Sequence, residues 1–160
     1  METENRRLWI LTTATSDFMS FIRWLNSQSI DYFIAWGYEQ LPEIHSGGDV
    51  DICVNPQHYM MVEHELRLRG FTPANCARHG EGHYHGHFGS PNEFTIEIFS
   101  SLCFGYEGKI TVLNISYEHF THAKRGEILI SSPVTEALFT NLRVLGGRKD
   151  CLKRLEKFLG

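Results

Sequence analysis

The segment Gly47-Gly48-Asp49-Val50-Asp51-Ile52-Cys53-Val54 concentrates the chemistry of this chain. In an extended strand residues i and i+2 project to the same side. Asp49 and Asp51 therefore share one face, about 6.5–7 Å apart along the backbone, and Val50, Ile52 and Val54 take the other. Aspartate is depleted in strands, and two like charges this close each disfavour ionisation of the other. A divalent cation removes that cost, and hard oxygen ligands suit Mg²⁺ or Mn²⁺. Glu97 repeats the design in Thr95-Ile96-Glu97-Ile98-Phe99, with the isoleucines facing one way and the acid the other. If that strand lies beside 49–54, Glu97 joins the aspartates. Three carboxylates can hold two ions about 3.5–4 Å apart, as in-line phosphoryl or nucleotidyl transfer requires. The same pattern is also that of two strands with solvated acids at a sheet surface.

Histidines form the second constellation. There are nine, and four of them cluster as His79, His83, His85 and His87. His83, His85 and His87 alternate, so a strand puts all three on one face. Three readings follow: a transition-metal site, since imidazole suits Zn²⁺; a histidine near the carboxylates that binds phosphate or carries protons; or an exposed polar edge strand interleaved with Gly82, Gly86 and Gly89. His85 is the accessory candidate of this group. His45, in the loop before Gly47, is a further ligand-contact candidate.

These residues need elements to hold them. Residues 15–28 predict a helix capped by Thr15 or Ser16, with an apolar stripe of Phe18, Phe21, Ile22 and Leu25. Residues 31–36 read as a strand ended by Gly37, and 49–54 as a second strand. Pro56 opens a helix to about 69, closed by Gly70. Residues 71–75 suggest a short strand, and the stretch 78–89 a turn with an edge hairpin. Strands are expected over 94–99, 109–115 and 127–131, with a short helix over 116–122. Ser132-Pro133 starts a helix to about 145, and Gly146-Gly147 separates it from another over 148–159. The class is α/β (α+β): a mixed β-sheet flanked by helices, with a short helical C-terminal part. The 160 residues fit a single domain, with an α/β core over about 1–131 and C-terminal helices over 132–160.

Composition narrows the partners. Hydrophobic residues make up 42% and charged residues 21%, ordinary for a globular protein. The net charge of −4 argues against a surface that tracks nucleic-acid phosphates. No apolar run approaches the roughly 18–20 residues that span a bilayer, and the N-terminus lacks a signal-peptide core, so a cytoplasmic protein is expected. Cys53, Cys76, Cys103 and Cys151 are scattered, without a C-x-x-C pair, and read as reduced thiols.

Gly37, then Asp49-Val50-Asp51-Ile52 twelve residues on, then Glu97 within an apolar strand, resembles the nucleotidyltransferase superfamily related to DNA polymerase β. Its pattern is a strand ending in h-G-[GS], a spacer, D-h-[DE]-h and a later single acid. The string Phe33 to Pro42 and the later Ser132-Pro133-Val134-Thr135-Glu136-Ala137-Leu138 look like small bacterial members. The resemblance covers residues 30–100 well and the tail loosely. It implies that Asp49 and Asp51 bind Mg²⁺ (or Mn²⁺) and that Glu97 completes one metal site or receives the proton of an attacking hydroxyl. It implies nucleotide binding at Gly37 and Tyr38. An NTP would be attacked at its α-phosphate by a small-molecule acceptor, releasing pyrophosphate.

Three departures from the pattern stand out. Tyr38 occupies the place of a second Gly or Ser, so Ser46, Gly47 and Gly48 offer alternative amide donors to a phosphate. Trp36 stands where a basic residue is common, leaving Lys109, Lys124, Arg125, Arg148 and Lys149 as phosphate partners, with Arg148 or Lys149 placed to face the cleft. The chain also has less helical substructure than larger members, which fits a minimal enzyme, a subunit that needs a partner or an inactive relative; a homo-oligomer is a further expectation. Two other functions stay open at this point: a non-catalytic nucleotide- or protein-binding module of the same fold, and a His/carboxylate metal-binding protein centred on residues 79–87.

Overall fold

The computed structural model describes the backbone of residues 2–45, 47–78, 83–106, 109–113 and 117–145, and the side chains of 13–45, 47–78, 83–101 and 117–141. Its first helix, α1, runs Glu2–Ser27. It starts well before the predicted 15–28, because the preceding residues are largely helix formers and nothing there breaks the helix. Thr15 and Ser16 are therefore mid-helix and not caps. Thr15 Oγ1 instead accepts the Ile44 amide at 3.2 Å, tying α1 to the loop before the acids. The predicted stripe of Phe18, Phe21, Ile22 and Leu25 is fully buried.

The strands are β1 Tyr32–Trp36, β2 Asp49–Val54, β3 Thr72–Arg78, β4 Tyr84–Gly89, β5 Thr95–Phe99, β6 Leu102–Tyr106, β7 Lys109–Leu113, β8 His122–Arg125 and β9 Ile128–Ser131. Helix α2 spans Tyr59–Leu68 and α3 spans Pro133–Leu145. α2 begins later than Pro56, because Asn55 Oδ1 first caps the Gln57 amide at 3.1 Å in a turn. The 116–122 segment is a 3₁₀ turn over Tyr117–His119 that leads into β8, a strand not expected from the sequence. All four β8 side chains are exposed, so no alternation marks them. β6 was also unforeseen, and β7 falls in the predicted 109–115. The second C-terminal helix, over 148–159, lies outside the described residues.

Seven strands form one mixed sheet in the order β3-β4-β5-β2-β1-β9-β8, and β6 and β7 pair apart from it. β2 is antiparallel to β1 and parallel to β5, which is antiparallel to β4. The histidine strand is thus interior, and β3 takes the edge. One face of the sheet carries Tyr32, Ile34, Val50, Ile52, Ile96, Ile98 and Phe88, packed with α1 and α2 into the main core. Gly86 permits that packing. A Cβ there would stand 2.8 Å from the Tyr59 hydroxyl and 2.7 Å from the Phe88 ring. The opposite face carries a smaller core of Phe33, Ala35, Cys53 and Phe99, closed by Phe139 of α3 and by Phe120. Among the described residues no helix is long and apolar enough to cross a membrane.

Candidate active site

The second face of the sheet continues beyond its aromatic core into charged residues. Strand pairing aligns Trp36 with Asp51, Asp51 with Glu97, and Glu97 with His87. One row therefore crosses β1, β2, β5 and β4. Alternation keeps Val50, Ile52, Ile96 and Ile98 in the main core, and this turns the acids to the other side. A shift in the β1–β2 register between Ile34 and Trp36 lets Trp36 join that side. Its ring stacks on Phe99 at 5.6 Å and meets Phe139 edge-on at 5.6 Å. This aromatic wall beside Asp51 was not read from the sequence, since only the pairing of distant strands brings its rings together.

Burial falls along the row. Asp51 is 6% exposed. The side chains of Glu97, His85 and His87 are 24%, 24% and 33% exposed. Asp49, at the start of β2, is exposed. His85 Nε2 lies 2.8 Å from Glu97 Oε1, and His87 Nδ1 lies 3.6 Å from Glu97 Oε2. Asp51 also hydrogen-bonds Glu97. Burial pushes the Glu97 carboxyl up, but the hydrogen bond and charge of His85, the bond to Asp51 and the charge of His87 outweigh it, and the group sits below the usual carboxylate range. His83 precedes β4 and stands outside this cluster, so only two of the three alternating histidines converge. Among the described residues its buried Nδ1 has no partner. His79 lies outside the described residues.

The donors suit a divalent cation. Two carboxyls at paired positions of adjacent strands, some 4.8 Å apart across the ladder, bond one another only by sharing a proton, and a cation can take that proton's place. Asp49, two residues before Asp51, lies on the same face, but it is exposed, and among the described residues the group of three whose ligand atoms converge is His85, His87 and Glu97, not the three carboxylates.

The other predicted residues are placed as follows. Gly37 is exposed, in the left-handed region at φ 73°, with open space where a side chain would stand. The next residue, Tyr38, is held from two sides. Its hydroxyl hydrogen-bonds the Glu136 carboxylate of α3, while Arg125 Nη1 and Nη2 donate to the carbonyls of Tyr38 and Glu39 at 2.6 and 3.0 Å. Burial, then Glu136, pushes the Tyr38 hydroxyl up to about 12. The Gly47 amide donates to the Glu93 carbonyl, in the turn before β5, at 2.6 Å and the Gly48 amide to the His45 carbonyl at 2.9 Å, so both proposed phosphate donors are already engaged by backbone carbonyls. Ser46, Arg148 and Lys149 lie outside the described residues. Lys124 helps line a cavity of about 570 Å³ with Arg23, Asn26, Asp31 and Glu127, which shares no residue with the acid row.

Two solved structures are similar to this chain. The lincosamide antibiotic adenylyltransferase LnuA, with lincomycin bound, matches with a TM-score of 0.54 at 16% identity, over 78% of this chain and 84% of its own. The antibiotic-resistance factor ANT(2'')-Ia, known from a solution structure, matches with a TM-score of 0.59 at 9% identity, over 94% of this chain and 86% of its own. The chain has the nucleotidyltransferase fold, an α+β architecture around a mixed sheet. No family model and no curated protein matches it.

Proposed function

We propose that this protein transfers a nucleoside monophosphate from an NTP to a hydroxyl of a small molecule. The observation that carries this reading is the pairing of buried Asp51 with Glu97, on a sheet of nucleotidyltransferase fold. Similarity to a lincosamide antibiotic adenylyltransferase with lincomycin bound, and to an antibiotic-resistance factor, favours a polyhydroxylated small acceptor.

In the reaction, the acceptor oxygen attacks the α-phosphorus, the α–β anhydride bond breaks, and pyrophosphate leaves. The hydroxyl proton passes to a nearby base. Asp49, Asp51 and Glu97 would hold Mg²⁺ or Mn²⁺, which when bound supplies neutralisation of the triphosphate charge. Glu97, kept ionised by His85, suits a ligand better than a base, because a lowered pKa means a weaker proton acceptor. His85 can take the proton in its neutral form, in which Nε2–H donates to Glu97 and Nδ1 is the acceptor. Trp36 and Phe99 offer an apolar wall beside Asp51 on which a base or acceptor ring can rest. Gly37 leaves open space for an approaching phosphate.

The test is pyrophosphate release with each NTP, Mg²⁺ and a panel of lincosamide and aminoglycoside acceptors. Acceptor-dependent release that Asp51→Asn abolishes supports the reading. Clamping of Tyr38 by Glu136 and Arg125 favours a second reading, a nucleotide-binding module without turnover. Mg²⁺-dependent NTP binding with no pyrophosphate from any acceptor would support that alternative and count against the first.

A further inference from the structure

We propose that His85, His87 and Glu97 form a site for a divalent first-row transition ion, Zn²⁺ or Co²⁺ in preference to Mg²⁺. The inference goes beyond nucleotidyl transfer and holds whether or not the protein turns over. His85 and His87 are successive same-face residues of β4, and Glu97 lies directly across from His87 on β5. One nitrogen from each ring and a Glu97 oxygen lie within 4.8 Å of one another. The rings stand edge to face, 4.7 Å apart.

A hydrogen-bonded ion pair accounts for only half of this arrangement. At 2.8 Å the His85–Glu97 contact is an ordinary bond, but His87 Nδ1 at 3.6 Å from the other carboxylate oxygen is too far for one. That spacing matches two ligands of a single ion. With metal–ligand distances of about 2.0–2.2 Å in tetrahedral geometry, neighbouring ligand atoms sit about 3.3–3.5 Å apart. The separation of His87 from Oε2 is already close to that, while His85 lies 2.8 Å from the other oxygen, Oε1, so the two imidazoles flank the two carboxylate oxygens and a small turn of the His85 ring brings all three ligands onto one ion. Two imidazoles and one carboxylate select a borderline ion over hard Mg²⁺. Three protein ligands, each about a quarter to a third exposed, leave an open coordination position toward solvent. Glu97 belongs to both donor sets, so an ion held by the histidines draws it away from Asp49 and Asp51.

The chelator-treated 160-residue chain should be titrated with Zn²⁺ by calorimetry and with Co²⁺ by visible absorption, both in excess Mg²⁺. The expected result is one equivalent bound in each case, with the d–d bands of nitrogen-ligated Co²⁺. His85→Ala and His87→Ala should each weaken binding by more than about tenfold, the least that even an outer partner of a ligand contributes. Asp49→Asn should leave it intact. Circular dichroism checks each fold, and His87→Gln serves if an alanine variant misfolds. Displacement by Mg²⁺, full affinity in the folded histidine variants, or loss in Asp49→Asn with the histidine variants unaffected would each overturn the proposal.

Discussion

Asp51 and Glu97 stand directly opposite one another on two parallel strands, their carboxyls hydrogen-bonded at the border between a buried aromatic core and a histidine pair. In a metal-free protein this pairing is a liability, because two adjacent acids ionise at each other's expense. The first prediction follows. Asp51→Asn should leave the metal-free protein as stable as the wild type or slightly more so, while abolishing turnover. A ligand at a hundred times its Kd stabilises by about 2.7 kcal/mol. The variant should lose any such Mg²⁺–NTP stabilisation in a thermal-shift assay. A clear destabilisation without metal would mean that the pair is a structural bond and not a cation-binding one.

His85 positions Glu97 through a 2.8 Å contact and holds it ionised. Partners of this kind behind a metal ligand contribute about 10–100-fold to metal affinity or activity. His85→Ala is therefore expected to lower kcat/KM by that range with circular dichroism unchanged. Unaltered kinetics would remove His85 from the site.

Arg125 clamps the turn after Gly37 through the carbonyls of Tyr38 and Glu39. Each such charged bond at the surface is worth on the order of 1 kcal/mol, so Arg125→Ala should raise the NTP KM several-fold and move kcat little. A variant with unchanged KM would separate this turn from nucleotide binding.

Gly86 sits between the two site histidines, yet its hydrogen side faces Tyr59 and Phe88, both buried. Gly86→Val has no room and should destabilise by about 1–3 kcal/mol, the usual cost of overpacking. Urea unfolding measures it. A neutral result would mean that α2 slides freely on β4.

Strongly alkaline pH, and not neutral or mildly basic pH, should loosen both cores, Tyr32 lying in the main one and Cys53 in the smaller. Burial raises the Tyr32 hydroxyl from 10.0 to about 12 and pushes the Cys53 thiol up as well. An acid whose folded pKa is raised gives stability fully present below its unfolded pKa and lost as pH climbs to the folded value. For Tyr32 that window runs from about pH 10 to 12. Tyr32→Phe should flatten the fall in urea midpoint across it, and an equally steep fall in that variant would assign the loss elsewhere.

The sequence determined what short-range periodicity can determine. Alternation in 49–54 and 94–99 put Asp49, Asp51 and Glu97 on the face opposite the isoleucines and valines, and those apolar residues lie in the main core, as observed. Spacing likewise gave the buried stripe of α1 and the start of α3 at Pro133. Tertiary structure decided the rest, because it depends on which distant strands pair and in what register. Nothing local to Glu97 says that it faces Asp51 across a parallel ladder and His87 across an antiparallel one. A one-residue slip in either pairing would carry the partner side chain to the other face. Nor could local pattern show that β4 is interior, that β8 is a strand with every side chain exposed, or that Thr15 lies mid-helix with its hydroxyl bonded to Ile44. Those features follow from contacts between segments far apart in the chain, and periodicity within one segment carries no record of them.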